Sequence, residues 1–269
     1  MVTTHNIIFF GSTGCGKSSI VNMLLGDNAE KAPVSGNAKG CTFANDKYIT
    51  IIDGEEYRLF DTSGLDEGSG GKVLTKDAII NLYRLLQGLD DGVSLLVYCM
   101  RGPRITESIE RNYKVFYDGF CHKNVRIVIV VTGLEDHPKM ETWWVENEHA
   151  FKEYKLEFDG HACITATRGK KMGGAYRNQV EYEESQKALK KLIVNQCQSV
   201  AEPFRMNTGT WLASIMGWLR RNMPWLLGPE LEGLYNVLVQ FLPEKEAREI
   251  ADRASEKGSI NSKPQTSSR

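Results

Sequence analysis

Near the amino terminus, Gly11-Ser12-Thr13-Gly14-Cys15-Gly16-Lys17-Ser18 has the spacing GxxxxGK[ST]. These residue types suit one task, the cradling of a phosphate chain. The glycines let consecutive backbone N–H groups curl around phosphate oxygens, and a helix starting at the loop's end points its positive pole at them. Lys17 has the reach to contact β- and γ-phosphates, Ser18 can set its hydroxyl on Mg²⁺, and Ser19 completes the binding run. The loop follows the apolar run 7–10 and precedes the helical pattern Lys17–Leu25, the strand-to-helix context a phosphate loop requires.

A second element, Asp61-Thr62-Ser63-Gly64, is a DxxG closing a later strand. In such a loop Asp61 holds Mg²⁺, often through water, and the Gly64 N–H senses the γ-phosphate. Between the two motifs a stretch containing Gly and Lys ends in Gly40-Cys41-Thr42, and Thr42 is the candidate switch threonine that ligates Mg²⁺ when a γ-phosphate is present. The residue after the DxxG is Leu65, which can make neither hydrogen bond needed to orient an attacking water. Slow intrinsic hydrolysis is expected, unless Asp66, Glu67 or an arginine from a second molecule substitutes.

A guanine reader needs a carboxylate aimed at N1–H and the exocyclic amine. After the β-branched run 126–132 the chain reads Thr132-Gly133-Leu134-Glu135-Asp136, close to [NT]KxD but without its Lys. Either Glu135 or Asp136 can serve, and the sequence does not choose between them. A later short strand ends in Thr165-Ala166-Thr167, a small-residue loop able to touch guanine O6 through backbone N–H groups. The expectation is GTP or GDP with Mg²⁺. The missing Lys leaves an ATPase of similar layout as one alternative, and Leu65 leaves a GTP-binding scaffold without turnover as another.

The elements that must hold these loops alternate between strand and helix patterns over the first 200 residues. Strands are expected at 7–10, 48–52, 57–60, 93–100, 126–132 and 162–164. Helices are expected at 17–25, 75–87, 106–117, 141–154 and 182–200, the last with Leu189, Ile193, Cys197 and Val200 on one face. Asp53-Gly54 marks a tight hairpin between the second and third strands. The order implies an α/β fold: a doubly wound, mostly parallel sheet of the P-loop NTPase kind with one antiparallel edge hairpin, plus a helical carboxy-terminal extension. The expected domains are 1–203, an extension at 204–258 and a disordered polar tail at 259–269.

The elements GSTGCGKSS, GCT, DTSGL, TGLED and ITATRG, in this order, resemble the septin-like (paraseptin) branch of translation-factor-class GTPases. The chain is similar to immunity-associated, avirulence-induced-type GTPases, to chloroplast-translocon receptor GTPases, and most to fungal G-domain proteins carrying VTGLE and WW elements. The likeness covers roughly residues 5–200. It implies a nucleotide-dependent switch or assembling GTPase. Those families often carry an LGRxT box, which Met100-Arg101-Gly102-Pro103-Arg104-Ile105-Thr106 resembles, so Arg104 is the matching arginine. The resemblance also implies a homodimer across the nucleotide face, in which Arg104 would serve the partner's phosphates.

The extension 210–228 holds Trp211, Trp218 and Trp225, two arginines and no acidic residue. Packing on its own protein, a partner surface and peripheral membrane contact are the three readings of that pattern. The 269 residues carry 33 basic and 34 acidic side chains, net charge -1, a balance that argues against a nucleic-acid partner. No run approaches the roughly 18 apolar residues of a membrane span, and no signal-peptide pattern opens the chain. Six cysteines without a CxxC pair suit buried free thiols and a cytoplasmic location, with membrane association arising only through the extension.

Overall fold

The computed structural model describes residues 3–27, 32, 46–62, 82–86, 88–105, 107–137, 139–205, 214–215, 217–219 and 221–222. The chain divides into two compact units, Met1–Arg205 and Met206–Arg269.

The first unit is built on six strands: β1 (Thr4–Phe10), β2 (Asp46–Ile52), β3 (Glu55–Asp61), β4 (Leu95–Arg101), β5 (Ile127–Thr132) and β6 (Gly160–Cys163). They lie in the order β2-β3-β1-β4-β5-β6, all parallel except the β2–β3 hairpin at one edge. Asp53 and Gly54 turn that hairpin with φ of 53° and 82°, the positive values a two-residue connection demands. β5 is buried along its whole length, as is β1 from His5 on. Near-continuous burial is what a parallel strand covered on both faces requires.

On one face α1 (Lys17–Leu25) and α4 (Gln179–Gln198) cover the sheet. Ile20, Val21 and Leu24 join Leu189, Ile193 and Cys197 in a core with Ile7, Phe9 and Val97. The opposite face is aromatic and lies beneath α2 (Glu107–Tyr113) and α3 (Met140–Glu153). Phe10 stacks on Phe116 at 4.2 Å, and Trp144 stacks on Phe151 at 5.2 Å. The expected α-helix at 106–117 instead passes at Lys114 into a π-helical stretch, Lys114–Phe120. A π turn holds more residues than an α turn, so Phe116 and Phe120, four apart, both stay buried against the sheet. A second departure is a small hairpin, Lys171–Met172 with Ala175–Tyr176, ahead of α4. Gly173 and Gly174, at φ 58° and 97°, make its turn. α4 correspondingly starts at Gln179, three residues before the sequence pattern suggests.

Val93 pairs with Phe204, so the first unit closes on itself just before Arg205. Of the expected helix at 75–87, residues 82–86 are described and helical. The five described cysteines are free and buried. In the second unit Ile215 and Leu219, one helical turn apart, are fully buried while Ser214 and Arg221 are exposed. Trp211, Trp225 and the tail lie outside the described residues. Among the described residues no helix is long and apolar enough to cross a membrane.

Candidate nucleotide-binding site

β1 delivers the chain to Gly11 at φ 144°. A Cβ there would stand 2.1 Å from the Cys99 carbonyl oxygen on β4, so only glycine lets the loop leave the sheet at this point. Gly16, at φ 99°, caps α1, whose first turn carries no acidic residue. The positive helix end therefore faces the loop without a carboxylate of its own to compensate it. Lys17 is 7% exposed, and its Nζ donates to the carbonyls of Gly11 at 3.1 Å and Ser12 at 3.2 Å. Two carbonyl dipoles compensate a buried ammonium only in part, and an anion in the loop would complete its coordination. Ser19 is half-buried on the same turn, and Thr13 and Gly14 are exposed.

Parallel pairing of β1 with β3 sets Asp61 beside Phe9, two residues ahead of the loop. Ser18 Oγ donates to Asp61 Oδ2 at 2.5 Å. A hydroxyl and a carboxylate at this spacing are the hard oxygen donors that Mg²⁺ takes alongside phosphate oxygens and water, so the residues fit the ion. Thr62, which sequence reading passed over, is 6% exposed and locks this junction by donating Oγ1 to Phe9 O at 2.8 Å. Thr42 and Gly64 lie outside the described residues.

Thr132 ends β5 with its side chain turned back onto the phosphate loop. Its Oγ1 donates to Cys15 O at 2.8 Å, and its methyl and hydroxyl face Gly16. It is thus a strut for the loop. Thr132→Val, which keeps the shape and removes the donor, should cost about 1–3 kcal/mol of stability by leaving a buried carbonyl unpaired. Denaturant unfolding of the two proteins measures it, and an unchanged midpoint would refute the strut.

Of the two carboxylates beyond, Asp136 points away: its side chain is 87% exposed and pairs with Arg177 Nη2 at 2.8 Å. Glu135 is half-buried and lines a cavity of about 460 Å³ together with Thr165. The loop 165–167 is therefore brought to Glu135. Thr165 is fully buried, its N–H donating to Ser185 Oγ at 2.9 Å, with Ala166 buried and Thr167 exposed. Arg168 continues this rim, its Nη2 donating to both Asp27 carboxylate oxygens at 2.7 and 2.9 Å, and lies over the Tyr182 ring.

Arg101 and Arg104 line a cavity of about 280 Å³ with Ser12 to Cys15. Arg104 is exposed at the mouth of its own chain's phosphate loop. Asn112, 1% exposed, reaches the same loop from α2, its Nδ2 donating to Ser12 Oγ at 3.4 Å. No motif marks Asn112. Its only sequence signal is a polar residue amid the apolar face of a helix.

Residues 6–132 match the family described as 50S ribosome-binding GTPase. The sheet order, the phosphate loop and that match are those of a P-loop GTPase G-domain fold. Among curated proteins the chain is similar to GTPase Der of Streptococcus uberis, 30% identical over 164 residues, 60% of this chain and 35% of Der. The chain thus spans about a third of the length of the curated relatives it matches. Among solved structures it resembles Toc33 from Arabidopsis thaliana in complex with GDP and Mg²⁺, with TM-score 0.55 and 17% identity over 76% of this chain and 88% of that one. It also resembles chloroplast translocon components atToc33 and psToc159, for whose GTPase activity dimerization is important (TM-score 0.53, 16% identity, 76% and 87% covered). Era in complex with MgGDPNP and nucleotides 1506-1542 of 16S ribosomal RNA matches with TM-score 0.52 and 17% identity, 80% and 66% covered.

Proposed function

We propose that the protein is a Mg²⁺-dependent GTP-binding switch or assembling GTPase, slow on its own and accelerated when two copies meet. The observation that carries this reading is the Ser18–Asp61 contact beside the buried Lys17 ammonium. It joins the end of the phosphate loop to the end of β3, where a metal-bound triphosphate would be gripped. Mg²⁺ held there neutralises charge on the phosphates. Lys17 and the N-terminus of α1 would bind them, Ser18 and Asp61 would hold the ion, and Thr42 and Gly64 would sense the γ-phosphate. Thr132 fixes the loop from β5, and the bound form supports its guanine end on Glu135 and the 165–167 backbone.

Glu135 is the better base reader because Asp136 is committed to Arg177 at the surface. Glu135→Ala should weaken GTP binding at least about tenfold, since guanine's donors lose their acceptor. It should leave ATP binding unchanged, and Asp136→Ala should leave both unchanged. Competition of GTP and ATP against a fluescently labelled GDP measures all three ratios. Equal affinity of the unaltered protein for ATP and GTP would favour an ATPase and overturn the guanine reading.

The finer placement within the septin-like branch, near the translocon and immunity-associated GTPases, rests on the TGLED and ITATRG elements and on Arg104. The dimerization dependence of the translocon GTPases supports a homodimer across the nucleotide face. Leu65 favours a second reading, a scaffold that binds GTP without turnover, and single-turnover phosphate release separates the two. The five buried free thiols support a cytoplasmic setting. Burial of Ile215 and Leu219 favours packing of the extension over membrane contact.

A further inference from the structure

β2 closes one side of the six-stranded sheet. Its inner edge pairs with β3 from Asp46–Asp61 to Ile52–Glu55 without a break in register. On its outer edge no strand pairs with it among the described residues. Such an edge offers backbone donors and acceptors to any strand that reaches it, and proteins ordinarily blunt it with proline, a bulge, brevity or charge. β2 is seven residues long, with no proline and no bulge. At its middle Ile49 and Ile51 are 52% and 61% exposed.

Side chains alternate along a strand, so the two isoleucines share one face of β2 with Lys47. Asp53, the first residue of the hairpin turn, stands at the other end of that row, and both charged residues are exposed. The charges beside the isoleucines on β3 are already matched. Arg58, opposite Ile49, pairs at 2.8 Å with Glu56, opposite Ile51, and at 2.8 Å with Asp91. No ion pair engages Lys47 or Asp53 among the described residues. The free edge thus carries a cation, two apolar side chains and an anion, in that order.

That order is complementary to itself. A second copy turned about a two-fold axis at Thr50 sets Lys47 opposite Asp53, Ile49 opposite Ile51 and Thr50 opposite Thr50. Residues opposite one another in an antiparallel pair lie on the same face, so the register can slip only in steps of two residues. A slip one way sets Lys47 against Ile51, and a slip the other way sets Ile49 against Asp53. Only the register centred on Thr50 matches both charges and both isoleucines.

We propose that β2 is a homodimerisation edge, through which two copies of this chain join antiparallel, centred on Thr50, into one continuous sheet. Each Ile49 covers the partner's Ile51, and two Lys47–Asp53 pairs fix the register. An isologous contact supplies both halves of this match from one sequence, which is why a second copy fits the edge. A seven-residue strand pair spans about 24 Å and is small beside the roughly 1,200–2,000 Å² of stable interfaces, so the dimer is weak and forms at high concentration. β3 separates β2 from β1, which leads into the phosphate loop. The contact is therefore distinct from the dimer across the nucleotide face and does not depend on GTP.

The test is sedimentation equilibrium of the full chain over about a hundredfold range of concentration, without nucleotide and with GDP or GTP. Mass should rise from one chain toward two in all three conditions. Lys47→Glu and Asp53→Lys, each checked for folding by circular dichroism, should raise the midpoint concentration at least about tenfold, since each sets two like-charge pairs opposite one another. An equimolar mixture of these two variants should recover the dimer, because every introduced charge then faces its opposite. Thr50→Cys should give an intermolecular disulfide under diamide that the unaltered protein does not form, since opposed strand residues lie within disulfide reach. A monomer at every concentration would overturn the proposal and leave the edge to a strand of another protein. A dimer that ignores both charge changes, that forms only in GTP, or whose loss the mixture fails to repair would place the contact on another face and overturn it equally.

Discussion

Lys17→Ala is expected to abolish measurable GDP and GTP binding while leaving the protein folded. The ammonium is 7% exposed and leans on two loop carbonyls. Phosphates bound in the loop would therefore meet its charge with little intervening solvent. Removing one partner of a buried charge pair costs about 3–5 kcal/mol, a loss of roughly a hundredfold to several thousandfold in affinity. The unliganded fold should change much less. Alanine forfeits two hydrogen bonds but also removes a buried cation, and these effects oppose one another. Titration calorimetry with Mg²⁺-GDP, beside thermal unfolding of both proteins, separates binding from stability. Unchanged affinity in a folded variant would refute the phosphate site.

Much of this site was legible because its residues act through the backbone. A phosphate loop is largely a local feature: glycine spacing, a lysine and a hydroxyl mark it, and in the structure Gly11 and Gly16 take positive φ while Lys17 turns back onto the loop carbonyls. The hairpin at Asp53-Gly54 was legible for the same reason. The proposed base reader was not. Preferring Glu135 over Asp136 rests on Arg177, which reaches Asp136 from the loop between a small hairpin and α4. That hairpin had its own signal in Gly173-Gly174, but its two-residue strands are too short to show alternation. The π-helical stretch escaped because α and π periods diverge by less than one residue per turn, so the burial of Phe116 and Phe120 fits either over so short a run. Thr132 was read as the strand end before the base-reading loop and Thr62 only as part of the DxxG, yet their hydroxyls are buried ties to the phosphate loop and to β1. Their partners lie far off in the chain, and sequence patterns carry no record of such pairs.

Arg104→Ala is expected to remove the dependence of GTP turnover on protein concentration while leaving GTP affinity within about twofold, the signature of an interaction made only in the transition state. Leu65 after the DxxG cannot orient water, so an isolated molecule has no side chain at that position to organise the attack. Arg104 stands exposed at the mouth of the cavity lined by Ser12 to Cys15. From there its guanidinium could serve phosphates in its own chain's loop or in that of a second copy facing it. An arginine delivered to the transferring phosphoryl group is worth about 10³–10⁵ in rate where it acts as a finger, because it stabilises charge that develops only in the transition state. A weaker homodimeric version should still raise specific activity at least about tenfold between dilute and concentrated protein. The experiment follows phosphate release across a hundredfold range of concentration, with light scattering to report assembly in GTP. A rise that Arg104→Ala abolishes places the arginine in trans. A loss of activity in Arg104→Ala that is equal at every concentration places it in cis, on its own chain's phosphates. Flat activity in the unaltered protein, with a monomer in GTP, would eliminate the dimer and leave the scaffold reading in its place.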